Sequence, residues 1–376
     1  MDEIIVGTYE GFLLGYSLQP EDDRTIIKQT FATSSHTAAV RCLSISGKFL
    51  ASGGTDDKVV IIDLKTRKEH TVLMNHDGTV NTVAFTHGGT HLLTGSDDGS
   101  VIVTRTGNWQ IEKIWKKAHG GQPVTTIVVH PSDKLALSIG GDKTLRTWNL
   151  IKGRPAFTIN LGSKGVGLPT EIKFSPSGDR FSLISLQNVD VWTISKAGLE
   201  KRLTCNSRPS TTQWTNDDEL FVGLENGNII KFTVSKTKAT TYQAYKQRVK
   251  CMHYENSNLY SASSNGVLKA WHIDDDNLQE ICSTNISCRV TCIALNRQRH
   301  LIKKEEDCED DGKTSGMSDN EDNSNESDNS EIIEKPPAKR QPGAFVRISY
   351  DEDNTESPPA KKSKRKKKNK KKNKTE

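Results

Sequence analysis

The residues with the most obvious capacity for chemistry are three histidines, His36, His76 and His119, and three aspartates, Asp56, Asp98 and Asp142. An imidazole beside a carboxylate can move protons near neutral pH. Each aspartate, however, sits in a turn such as Ser96-Asp97-Asp98-Gly99, where Asp and Gly serve the backbone. Carboxylates without a convergent pocket are weak acid–base candidates. Two cysteines, Cys288 and Cys292, lie four apart in an expected strand and would share one face. Zinc there needs two further ligands that the sequence does not supply, so both read as ordinary strand residues. The run Gly162-Ser163-Lys164-Gly165-Val166-Gly167 is glycine-rich, but its spacing is not that of a phosphate loop, and it reads as a flexible connection. There is also no Gly-x-Ser-x-Gly elbow and no His-Glu-x-x-His. The sequence therefore predicts no enzyme, no metal and no cofactor, and it assigns the histidines to internal hydrogen bonding, which a buried polar group requires.

The elements that must position these residues repeat. One pattern returns seven times, with its aromatic slot at Tyr16, Ile62, Thr104, Trp148, Trp192, Phe232 and Trp271, 39 to 46 residues apart. Each copy has a small residue, a turn rich in Asp, Asn and Gly, and an alternating apolar strand, as in Leu93-Thr94-Gly95-Ser96-Asp97-Asp98-Gly99-Ser100-Val101-Ile102-Val103. That turn needs left-handed backbone, which Asp and Gly tolerate. A period of this length with this content predicts an all-β, seven-bladed WD-repeat β-propeller. Six repeats carry a further alternating strand before the turn, such as Val80-Asn81-Thr82-Val83-Ala84-Phe85. The first copy, at Val6-Gly7-Thr8-Tyr9, lacks it, and the missing strand stands at the far end as Arg289-Val290-Thr291-Cys292-Ile293-Ala294-Leu295. Residues near 289–296 are thus expected to complete the blade begun by residues near 3–33, leaving no open sheet edge in the ring. In the fourth blade, His119, Ser138, Asp142 and Trp148 have the spacing that links loop, strand, turn and strand by hydrogen bonds.

Alignment of the innermost strands identifies the residue at the lip of each: Ala39, Thr79, Pro123, Leu168, Arg208, Arg248 and Arg289. The three arginines fall on consecutive blades, the sixth, the seventh and the closing first. They predict a basic arc on one side of the propeller mouth, with Lys246 and Lys250 nearby, suited to a carboxylate-rich segment or an RNA backbone.

The formal net charge of +5 over 376 residues hides a strong asymmetry. Residues 303–334 carry 13 acids and 3 bases, whereas residues 361–374 carry 11 Lys or Arg and no acid. Such blocks cannot bury enough apolar surface to fold. The expected organisation is a propeller over 1–300, an acidic disordered linker over 301–334 and a basic disordered tail over 335–376. The run Lys361-Lys362-Ser363-Lys364-Arg365-Lys366-Lys367-Lys368 reads as a nuclear or nucleolar address and an RNA-attracting arm. Between basic clusters, residues 344–350 form the one apolar island of the tail. Seven cysteines without a framework spacing suit a reducing compartment. No 18-residue apolar run and no leader pattern is present, so no membrane association is expected.

Gly53-Gly54-Thr55-Asp56-Asp57 through Ile61-Ile62-Asp63-Leu64, Asn75-His76-Asp77-Gly78-Thr79-Val80, and Gly140-Gly141-Asp142-Lys143-Thr144-Leu145-Arg146-Thr147-Trp148-Asn149-Leu150 followed by Gly153-Arg154 carry a likeness. Over residues 1 to about 296 the chain resembles the WD-repeat family of p21-activated-kinase-interacting proteins, which includes a yeast assembly factor of the large ribosomal subunit. The resemblance implies a nucleolar scaffold for maturation of the large-subunit precursor and its rRNA. Implied partners are ribosome-assembly proteins, pre-rRNA through the basic tail, and a p21-activated kinase that animal members negatively regulate, with the protein a monomeric subunit of a large complex. The competing expectation is a cytoplasmic signalling regulator that inhibits such a kinase by binding its regulatory region.

Overall fold

In the computed structural model, residues 2–297 are described except 23, 197, 275 and 276. They form seven antiparallel four-stranded sheets arranged as blades. Blade 2 is representative: Val40–Ser46 is innermost, followed outward by Phe49–Gly54, Val59–Asp63 and Lys68–Leu73. The innermost strands of blades 3 to 7 are Val80–Phe85, Val124–Val129, Pro169–Phe174, Pro209–Trp214 and Val249–Glu255. Each lies beside its neighbours in sequence order, so they line a central channel. The segment 162–167, read from the sequence as a flexible connection, joins blades 4 and 5 and contains one 3-10 turn, Gly162–Lys164, closed by Gly165 in the left-handed region.

The ring closes through blade 1. Val290–Asn296 is its innermost strand and pairs antiparallel with Glu3–Thr8, with Asn296 opposite Glu3 and Ala294 opposite Ile5. Glu3 is buried at this junction. Its carboxylate accepts from Thr30 Oγ1 at 2.5 Å in the outer strand, from Asn296 Nδ2 at 3.1 Å, and from Arg67 of blade 2 at 2.8 Å. One acid thus joins the first and last strands of the ring to the neighbouring blade, where losing it would strand a cation.

Blades pack on one another through the interleaved apolar faces of the strands. All seven repeat slots are buried, from 1% exposed at Thr104, Trp192 and Phe232 to 6% at Trp271. The small residue of the repeat has a steric role. A Cβ on Gly53 would lie 2.6 Å from Val80 Cγ1, and one on Gly95 would lie 2.7 Å from Val124 Cγ1. Glycine in the second strand therefore admits the first valine of the next blade, and close interior packing leaves no slack for a methyl group.

The inner strands depart from simple alternation. In every blade the register shifts beside the lip, between Val40 and Cys42, Val80 and Thr82, Val124 and Thr126, Pro169 and Glu171, Pro209 and Thr211, and Val249 and Cys251, with the equivalent shift in blade 1 opposite Gly7 and Thr8. A bulge leaves one residue unpaired and re-aims its side chain. The unpaired residues, Arg41, Asn81, Thr125, Thr170, Ser210, Lys250 and Thr291, all line the channel.

The cysteine expectation needs correction. Cys288 precedes the strand that begins at Val290, and it packs on the cluster around Ile4 and Tyr16. Cys292 lies within the strand and packs on a different cluster, around Ile5 and Val40. The two do not share a face, because the bulge at Thr291 separates them.

Candidate functional site: the mouth of the channel

The histidines are built into the blades. His119 is fully buried, with Nδ1 2.9 Å from Asp142 Oδ1 and Nε2 2.7 Å from Ser138 Oγ, while Trp148 Nε1 donates to the same Oγ at 2.8 Å. An indole N–H can only donate and a carboxylate can only accept. The serine proton therefore goes to Nε2, and Nδ1–H goes to Asp142. Burial lowers the His119 pKa below its ordinary value, against the opposing pull of Asp142, which keeps the ring neutral. Asp142 is pushed up by burial, but hydrogen bonds from His119 and Thr144 outweigh that and hold it low.

His36 repeats the pattern with Asp56 at 2.9 Å and Ser52 at 2.8 Å, and His76 does so with Asp98 at 2.9 Å and Thr94 at 2.7 Å. In both cases the aromatic slot, Ile62 or Thr104, supplies no indole. Asp56 and Asp98 are raised by burial and lowered further by their hydrogen bonds, with a net downward shift. In these three relays both ring nitrogens and the aspartate carboxylate are occupied inside the blade.

Sequence reading missed a fourth relay. In blade 7 Tyr245 takes the place of the histidine: its hydroxyl lies 2.8 Å from Ser261 O and 2.7 Å from Ser261 Oγ, which accepts from Trp271 Nε1 at 2.7 Å. The signal was the position of Tyr245, four residues before Val249 as His36 is before Val40. Blade 5 has no relay. Leu183 occupies the place of Ser138, and Trp192 Nε1 is buried without a partner among the described residues.

The lip residues occupy equivalent places. The carbonyls of Ala39, Thr79, Pro123, Arg208, Arg248 and Arg289 each accept a backbone N–H from the turn after the second strand, at 2.8 to 3.1 Å. Leu168 lies at the blade 5 lip, half exposed. Arg208 and Arg289 are exposed, Arg248 is half-buried, and Lys246 is exposed in the connection before blade 7. Arg248 reaches Glu225 at 3.8 Å, and the Arg289 guanidinium lies 5.0 Å above the Tyr9 ring, a cation–π placement that orders it without neutralising it. Arg208 and Lys246 have no ion pair among the described residues. Lys250 is not on the outer lip but one residue inside it, in the channel, where burial first and then the charges of Arg248 and Arg41 lower its pKa.

The channel encloses about 1100 Å3. Further along the channel wall the charges are paired, Glu171, next to the bulge at Thr170, with Lys173 at 3.7 Å, and Glu255 with Arg297 at 2.5 Å at the far end. His253 there is held down to about 4 by burial, with Lys173 and Arg297 adding to the shift, so it is neutral at pH 7. Burial pushes up the thiols of Cys42, Cys251 and Cys292, the last to about 11, which leaves them protonated and poor as nucleophiles or ligands. The acidic segment, the 344–350 island and the targeting run Lys361, Lys362, Lys364, Arg365, Lys366, Lys367 and Lys368 lie outside the described residues.

Comparison with known proteins agrees with this architecture. The WD domain, G-beta repeat family matches residues 27–63, 67–104 and 111–149. The chain is 35% identical over 301 residues to the Xenopus laevis protein named p21-activated protein kinase-interacting protein 1-like, covering 78% of this chain and 81% of that one. It is 27% identical to Shk1 kinase-binding protein 15 of Schizosaccharomyces pombe, covering 78% and 85%. It is 25% identical to Protein MAK11 of Saccharomyces cerevisiae, covering 60% and 61%. With its seven blades, its relays and this extent of identity, the chain belongs to the p21-activated protein kinase-interacting protein 1 family of WD-repeat proteins.

Proposed function

We propose that this protein is a non-catalytic scaffold of the nucleus and nucleolus, acting in maturation of the large ribosomal subunit precursor and its rRNA. The observation that carries the scaffold reading is the contrast at the mouth: His36, His76 and His119 and their aspartates are tied up internally, while Arg208, Arg248 and Arg289 stand on consecutive blades with little neutralisation. Rigid blades that present loose charge suit recognition of a partner protein. The Lys-rich run 361–374 favours a nucleolar location and attraction to rRNA phosphates without sequence reading. The likeness to a large-subunit assembly factor points the same way. Depletion tests the reading: selective loss of large subunits with accumulated rRNA precursor is expected, and unchanged precursors would overturn it.

The names of the relatives favour a second reading, regulation of a p21-activated kinase. Raised kinase activity on depletion, with normal precursors and a diffuse cytoplasmic signal, is its signature. Loss of nucleolar signal on deletion of residues 361–374 supports the first.

A further inference from the structure

The seven bulges place one side chain per blade just inside the mouth, and five of the seven are small and neutral: Asn81, Thr125, Thr170, Ser210 and Thr291. Several are spent on the framework. Asn81 donates to Val124 O at 3.0 Å and to Asp97 at 2.6 Å, Ser210 donates to Gly223 O at 3.0 Å, and Thr291 donates to Gly7 O at 2.9 Å. The other two are Arg41 and Lys250, on the blades either side of blade 1, and neither has an ion pair among the described residues. Elsewhere in the channel Glu171 and Lys173 pair, as do Glu255 and Arg297. Glu171 directly follows the bulge residue Thr170 but is the partner of Lys173, and Asp97 of blade 3 holds Asn81. Arg41 is exposed and Lys250 half-buried, the charge of Arg41 is felt at Lys250, and Arg248 and Arg289 stand two residues before Lys250 and Thr291 at the lip.

We propose that Arg41 and Lys250 form a phosphate site inside the channel mouth, which receives a phosphoserine side chain of an acidic peptide whose flanking carboxylates lie along Arg208, Arg248 and Arg289. This rests on the mouth being the partner surface. A phosphate monoester brings close to two negative charges and three acceptor oxygens, matching one planar fork and one ammonium. A carboxylate offers two oxygens and half the charge. A nucleic-acid phosphate is flanked by sugars on both sides and cannot project into a channel walled by seven strands, whereas a phosphoserine ends in its phosphate.

The test is a fluorescence-anisotropy titration of the full-length protein at roughly 0.15 M salt, where exposed charges more than about 8 Å apart are screened. The probes are Gly-Asp-Asp-phosphoserine-Asp-Glu-Gly and its unphosphorylated twin. We expect the phosphopeptide to bind at least about tenfold more tightly, as two charge-assisted hydrogen bonds provide. The ratio should fall to near one in Arg41→Ala/Lys250→Ala and persist in Arg41→Lys/Lys250→Arg, with unchanged circular-dichroism melting. In Arg208→Ala/Arg248→Ala/Arg289→Ala both peptides should weaken together while the ratio survives. Equal binding of the two peptides by the natural protein, or a ratio unaltered in the Arg41/Lys250 variant, overturns the phosphate site. Inorganic phosphate that displaces the phosphopeptide at the peptide's own concentration overturns the peptide as occupant. Failure of the mouth reading is seen separately, as undiminished co-purification of assembly factors with the triple arginine variant.

Discussion

Blades 2 to 4 and the arc from blade 5 through blade 1 are built to the same topology and use their polar residues in opposite ways. The three stretches that match the WD repeat end on the third strands of blades 2, 3 and 4. In this half, His36, His76 and His119 bind Asp56, Asp98 and Asp142, so the turns at the mouth are locked by their own charges. In the other half these pairs are gone. Tyr245 replaces one histidine, blade 5 leaves Trp192 without a relay, and arginines occupy three consecutive lips. Where a blade keeps the His–Asp pattern its turn is held by its own charges, and on blades 6, 7 and 1, which lack that pattern, arginines stand at the lip instead.

The comparison can be broken most severely at its rigid half. His119→Ala removes a buried hub and leaves Ser138 unsatisfied, so we expect a loss of about 3 kcal/mol in urea unfolding, with partner binding per folded molecule unchanged. A smaller contrast separates two tryptophans. Trp148→Phe forfeits the bond to Ser138, whereas Trp192→Phe removes an N–H that has no partner among the described residues. The first should therefore cost about 1–2 kcal/mol more than the second. Equal costs would show that the blade 4 relay adds nothing to stability.

Acidity sharpens the comparison by direction. Folding lowers the pKa of His119 and of Asp56, Asp98 and Asp142. Their contributions are complete above the unfolded values, about 6.5 for His and 3.9 for Asp, and are lost as pH falls through the lower folded values. Tyr245 is raised by burial, so its contribution holds below the unfolded value of about 10 and is lost as pH rises beyond it. Urea midpoints followed against pH should thus show an acid limb that flattens in Asp142→Asn and an alkaline limb that flattens in Tyr245→Phe. The smallest expected effect is on stability at the lips: Arg208→Ala/Arg248→Ala/Arg289→Ala should move Tm by no more than about 3 °C while weakening a salt-sensitive partner contact.

Much of this was legible in the sequence because it is periodic. The slots Tyr16 to Trp271, the orphaned first turn at Val6 and the spare strand at Val290 follow from counting, and so do the lips, each one residue before a strand. The channel cations were not. Alternation along Val40-Arg41-Cys42-Leu43 does not reveal that Arg41 is an unpaired bulge residue, because a bulge is defined by what the partner strand skips. The same blindness put Cys288 and Cys292 on one face. Tyr245 escaped notice because a phenol and an imidazole differ as sequence symbols, although both reach the same serine.

Glu3 and Asn296 face each other across the seam of blade 1, and Arg289 lies immediately before the strand that closes it. During vectorial synthesis, six blades can form while the first still waits for its fourth strand, so the most non-local pairing in the ring comes last. The guanidinium arc consequently assembles only after the closing segment has left the ribosome and docked. A prematurely ended or unclosed chain therefore displays only two of the three lip arginines, and with them an incomplete face.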